Sequence, residues 1–259
     1  MKRAIFTKAN YSKIKMEFMY LISLWPLINF LGMEKYKNMH FGKRCFIIGN
    51  GPSLGLMDLN LLKGEYTFGS NRIYLLNNEI LDIITYYVAV NSLVLKQCYA
   101  EIQRLNMPKF LNWHERKFFS PGNTTFFLKD SYFDDKPKFS KKPWGIIWEG
   151  ATVTYVAMQL AYFMGFSTVY LIGVDHNFTF VGKPHQTVTS NSVDINHFSK
   201  DYFGPGFQWQ LPDLDLSEYS YKVAKREFEK NNRKIFDATI NGKLSIFPKI
   251  DYYSIFNNS

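Results

Sequence analysis

Polar residues that close apolar runs are the first places in this chain where chemistry is expected. "RCFIIGNG" ends at Gly49-Asn50-Gly51 and continues into Pro52 and Ser53, "GEYTFGSN" ends at Asn71, "DIITYYVAVN" ends at Asn91, and "STVYLIGVD" ends at Asp175 with His176 behind it. Ligands of open parallel sheets bind outside the carboxyl ends of the strands, near the point where strand order reverses, so these residues are expected to line one crevice. A phosphorylated ligand suits their types. Gly49 and Gly51 permit close backbone approach, and Ser53 is placed to cap a following helix whose free N–H groups would face a phosphate. Asparagine offers both a donor and an acceptor to ribose hydroxyls, base edges or phosphate oxygens. Taken singly, each also reads as turn chemistry; their joint occurrence favours a site.

Acid–base chemistry has fewer candidates. Asp175 is placed to bind a hydroxyl or to orient His176, and His197 is placed to accept a proton from a substrate hydroxyl near neutral pH. Asp213-Leu214-Asp215 matches a metal-binding DxD, but it opens an amphipathic run, where Asp213 and Ser217 read as helix caps. His176, His185 and His197 follow no metal-ligand spacing, and no metal is expected. The Gly-Asn-Gly turn lacks the third glycine of a dinucleotide fingerprint and the Gly-Lys-Ser/Thr of a P-loop. Nucleophilic catalysis is not expected either, because there is no G-x-S-x-G and Cys45 sits inside an apolar run.

The elements that must position these groups follow from apolar patterning. Continuous apolar runs are those of strands buried on both faces of a parallel sheet, with "KFLNWH" and "NTTFFLKD" as weaker additions. "GATVTYVAMQLAYFMGF" has helical spacing and stops at Gly165, and a parallel strand follows, which is half of a βαβ unit. An α/β fold is therefore expected, a single doubly wound, mainly parallel sheet. Residues 176–213 carry no clear regular element but many aromatics, and read as a lid or binding loop. "DLSEYSYKVAKREFEKNN" reads as an amphipathic helix and "RKIFDATI" as a strand after it.

A chain of 259 residues with a formal net charge of +9 has room for a full core and favours an anionic partner. Its basic residues are scattered, which argues against nucleic acid. Two cysteines give no disulfide framework, so a reducing, cytoplasmic setting is expected. Residues 1–40 form an N-terminal helical extension and 41–259 the main domain. "MKRAIFTKANYSKIK" is basic, and the apolar stretch after it is interrupted by Glu17, Pro26 and Asn29, too broken to span a bilayer. The extension is expected to pack on the domain or on a second subunit; peripheral contact of residues 1–33 with an inner membrane face is the other reading.

From Arg44 to Phe247 the order of "CFIIGNGPSL", Asn71, Asn91, "TVTYVAMQLAYFMGFSTVYLIGVDHNF" and His197 resembles the bacterial lipooligosaccharide sialyltransferases that use CMP-N-acetylneuraminate. It is also similar to a broader family that includes 6-hydroxymethylpterin pyrophosphokinase-like proteins. The first resemblance implies a Rossmann-like, GT-A-variant glycosyltransferase that needs no metal and inverts the sugar by direct displacement. It implies a CMP-sugar donor and a glycan or glycolipid acceptor of lipopolysaccharide or capsule; apart from the resemblance, a homo-oligomer stays open. Gly49, Asn50, Gly51, Pro52, Ser53, Asn71, Asn91, Asp175 and His176 would surround the nucleotide, the helix start at Thr152 to Thr154 would join them, and His197 would be the general base with Asp175 beside it. The family's phosphate-holding tyrosines are replaced here by His176, Asn177 and Phe178, leaving Tyr202 as a stand-in. The second resemblance implies diphosphate transfer from ATP. A non-catalytic nucleotide-binding role in glycan assembly is a third reading.

Overall fold

The computed structural model describes residues 24–76, 81–120, 122–131, 136–179 and 181–257. Of the expected extension over residues 1–40, the first 23 lie outside the described residues. From there the chain opens on helix α1 (Trp25–Glu34) and enters strand β1 (Arg44–Ile48). Next come β2 (Thr67–Ser70), β3 (Tyr86–Ala89), short helices α2 (Ser92–Gln97) and α3 (Tyr99–Arg104), β4 (Lys109–Asn112), β5 (Thr125–Asp130) and β6 (Ile146–Ile147). Helix α4 (Val153–Phe163) leads into β7 (Thr168–Ile172), then β8 (Thr187–Thr189), β9 (Gln208–Gln210), α5 (Leu214–Glu229) and β10 (Lys234–Asp237).

Eight strands form one sheet in the order β10-β7-β1-β2-β3-β4-β5-β6, and every neighbouring pair is parallel. The chain therefore runs outward from β1 to β6 in one direction and restarts at β7 on the other side of β1. That reversal opens a crevice at the carboxyl ends of β1 and β7. Side chains alternate strictly across the sheet: Cys45 and Ile47 enter the core shared with α1, α4 and α5, while Phe46 and Ile48 enter the core on the opposite face with α2, α3 and the C-terminal segment. The fold is an α/β doubly wound one, as the apolar runs imply.

Local chemistry explains the element that matters most for the site. Thr152 adopts extended backbone and its Oγ1 accepts from Thr154 N–H, so α4 begins there; Thr154 through Phe163 are then all buried. The helix ends before Gly165, whose φ of +91° only glycine adopts easily, and a Cβ there would lie 2.9 Å from Asn38 Cα. Asp213 caps α5 by accepting from Leu216 N–H at 2.9 Å, and Ser217 Oγ donates to Asp213 O at 2.7 Å, as expected of a cap rather than a DxD ligand.

Two readings need correction. Residues 176–213 contain an antiparallel hairpin, β8 with β9, whose three-residue strands are too short to register as alternation. The turn after β1 does not start an α-helix capped by Ser53. A single 3-10 turn, Pro52–Leu56, follows with Gly51 at its N-cap position, and Ser53 lies inside it.

Candidate functional site

A cleft of about 340 Å³ opens at the β1/β7 reversal, walled by the ends of β1, β2, β3 and β7, the start of α4, and the 176–213 segment. Of the residues expected around a nucleotide, Gly49, Asn50, Gly51, Asn71, Asn91, Thr152, Thr154, Asp175 and His176 line it, together with His197. Pro52 and Ser53 are not in its wall.

Asp175 explains why. Ser53 N–H and Oγ donate to its two carboxylate oxygens at 3.1 and 2.6 Å, so this carboxylate occupies the place expected for a phosphate. Gly49 N–H donates to Ile172 O and Gly51 N–H to Gly173 O, which spends those donors on β7. The glycines are steric necessities: a Cβ on Gly49 would sit 2.2 Å from Gly173 O, and one on Gly51 would sit 1.8 Å from Asp175 Oδ2. Burial raises the Asp175 pKa against the opposing pull of Ser53. Asp175 does not orient His176 either; that ring donates from Nε2 to Glu218 Oε1 at 3.1 Å.

The strand-end asparagines divide into two kinds. Asn91 caps α2, its Oδ1 accepting from Leu93 and Val94 N–H, and its Nδ2 lies 3.4 Å from Gln210 Oε1. Asn50 donates from Nδ2 to Ser70 Oγ at 3.0 Å, but its buried Oδ1 has no partner among the described residues, and Asn71 Oδ1 is in the same condition. Buried acceptors facing no protein donor are costly, and a donating ligand satisfies them. Asn71 holds a left-handed backbone, φ +49°, which asparagine tolerates and which ends β2 abruptly beside the cleft.

His197 is the best-prepared group. A carboxylate only accepts, so Nδ1–H of His197 donates to Asp194 Oδ2 at 2.8 Å, which leaves Nε2 as the basic nitrogen. No partner for Nε2 exists among the described residues. The ring stacks on Tyr202 at 3.9 Å and 6° and meets Phe203 edge-on at 4.9 Å. Burial alone would raise the Asp194 pKa, but His197 together with the N–H groups of Asn196 and Phe203 outweighs it and holds the carboxylate below its ordinary range. Tyr202, the stand-in for a phosphate ligand, is instead a platform: fully buried under the imidazole, with its hydroxyl accepting from Arg72 N–H. The lid is anchored at this point, since Arg72 Nη1 also donates to the carbonyls of Asp201 and Tyr202.

Compared with known protein families, curated proteins and solved structures, the chain matches none. Three further residues belong to the site. Asp194 is one; an Asp three residues before a loop histidine is the signal that would have found it. Tyr221, from α5, lines the cleft with its hydroxyl 3.4 Å from Thr152 Oγ1, and burial keeps its phenol protonated. Glu149 lines the cleft just before α4, and its Oε1 accepts from Asn112 Nδ2 at 2.9 Å. Enclosure of its carboxyl group, then the nearby Asp130 carboxylate, push its pKa up to about 8 against the smaller opposing pull of Asn112. Among the described residues no group of three or more His, Cys, Asp or Glu is arranged to hold a metal ion, and no helix is long and apolar enough to cross a membrane.

Proposed function

We propose that this protein is an inverting glycosyltransferase that moves sialic acid, or a related keto-sugar acid, from a CMP-sugar to a hydroxyl of a surface glycan. The observation that carries the reading is the Asp194-held His197 in the wall of the same cleft as the unpartnered oxygens of Asn50 and Asn71. Nε2 of His197 takes the acceptor hydroxyl's proton as its oxygen attacks the anomeric carbon. The bond from that carbon to the CMP phosphate oxygen breaks, and CMP leaves with the electron pair. The start of α4, an eleven-residue helix, presents the positive end of its dipole to the leaving phosphate, and the Tyr221 hydroxyl is the donor beside it. The Asn50 and Asn71 oxygens accept from cytosine amino or ribose hydroxyl groups.

An acidic donor sugar fits this wall because enclosure and the Asp130 carboxylate raise the Glu149 pKa, which favours its neutral, hydrogen-donating form. Asp175 is assigned the turn rather than the reaction. A purely accessory nucleotide-binding role would have no use for the Asp194 hydrogen bond, which prepares a base.

CMP release from CMP-N-acetylneuraminate in the presence of a lipooligosaccharide acceptor, with the anomeric configuration of the product read by NMR, tests the proposal. Inverted product is expected. Absence of CMP release, together with diphosphate transfer from ATP to a pterin, would transfer the assignment to the pyrophosphokinase-like reading.

A further inference from the structure

Helix α1 is apolar on two sides, and among the described residues only one of them is covered. Asn29, Met33 and the following Tyr36 face the domain: Asn29 is buried on the backbone of Phe127, and the Tyr36 ring packs edge-on against Phe110 and Phe126. Turning the helix through half a revolution brings up Leu24, Leu27, Ile28 and Leu31, spaced i, i+3, i+4 and i+7, all exposed; Leu24 is 71% and Leu31 65% accessible. Phe41, in the turn that joins α1 to β1, is 75% accessible. A contiguous row of large aliphatic side chains on one helix face is not an ordinary surface.

Charge decides what covers it. Lys35, one turn beyond Leu31, is exposed at the end of the row with its ammonium 5.1 and 5.5 Å from the Tyr36 and Phe126 ring centroids, and Lys43 lies two residues after Phe41; neither has a carboxylate partner among the described residues. The 23 residues that run into Leu24 contain Lys2, Arg3, Lys8, Lys13 and Lys15 against Glu17 alone. A second copy of this chain on the same face would bring Lys35 and Lys43 against their own kind, whereas an anionic bilayer surface receives both the aliphatic row and these lysines.

We propose that the outer face of α1, with the turn at Phe41, is a lipid-docking surface that seats the protein on an anionic bilayer. The aliphatic row enters the boundary between headgroups and acyl chains, and Lys35 and Lys43 extend to the phosphates. The inference is independent of the transfer reaction, and its test needs no turnover.

Flotation of the full chain with vesicles of phosphatidylcholine alone, and of phosphatidylcholine mixed with phosphatidylglycerol, reads it directly. The mixed vesicles are expected to carry the protein and the neutral ones to leave it behind, with binding falling as salt rises. Leu27→Glu with Leu31→Glu should lower partitioning about tenfold or more, and Lys35→Glu with Lys43→Glu about tenfold. The leucines are exposed, so that variant should keep the parent's melting temperature and CMP affinity; Lys35→Glu also takes an ammonium from over Tyr36 and Phe126, so the melting temperature of the lysine variant is read beside its flotation. Sedimentation velocity of the parent and the leucine variant is run alongside. Failure to float with anionic vesicles, unchanged flotation of the leucine variant, or a dimer that the leucine variant dissociates would each overturn the proposal.

Discussion

His197 owes its readiness to one hydrogen bond, so the residue to change is Asp194. Asp194→Asn keeps the side chain's shape but no longer fixes Nδ1–H or stabilises the imidazolium; the transfer rate should fall about a hundredfold or more while CMP affinity is unchanged. His197→Ala should behave in the same way, and loss of nucleotide binding in either variant would make the pair structural. Glu149 gives a pH signature. Its folded-state pKa, about 8, lies above its unfolded value, so the native state holds more protons between roughly pH 4.5 and 8, and stability falls as pH rises through that window. Glu149→Gln should flatten this slope and raise the melting temperature above pH 8, with little change below pH 5; an unchanged slope by differential scanning calorimetry would remove Glu149 as its source. His197 was visible in the sequence because few other residue types titrate near neutrality. Glu149 and Tyr221 were not, because enclosure by Asn112, Asp130 and α5 is set by tertiary contacts that no local pattern encodes.

The turn after β1 is an element held by steric fit. Gly51→Ala places a methyl group in the Asp175 carboxylate and should lower stability by about 1–3 kcal/mol in a denaturant titration. Adding Asp175→Ala should recover only part, because Gly173 O still lies 2.9 Å from that Cβ and Ser53 loses its acceptor. Full recovery would show that Gly173 tolerates the methyl group. The main strands were legible since each is a short apolar run buried on both faces, and α4 was legible from its spacing and from Gly165. The fate of Ser53 was not, since a serine after Gly-Pro reads equally as a cap for the next helix or as a partner for a distant carboxylate. β8 and β9 escaped notice because three residues of alternating exposure, such as Gln208-Trp209-Gln210, carry too little pattern.

At the scale of the whole molecule, the strand order of the parallel sheet reverses once, between β1 and β7, and residues that close its strands meet there with the start of α4 and the lid. If the proposed donor is correct, the net charge of +9 favours its encounter with the protein, so CMP-sugar association should slow as ionic strength increases, measurable by stopped-flow fluorescence of the tryptophans. Calorimetric titration of the full chain with CMP, UDP and ATP, each with and without Mg²⁺, tests the central claim most directly. The account predicts binding of CMP at one site per chain without a need for Mg²⁺, weakened about tenfold or more by Asn50→Ala with Asn71→Ala and unaffected by His197→Ala. Failure of CMP to bind while ATP binds only with Mg²⁺ would contradict it.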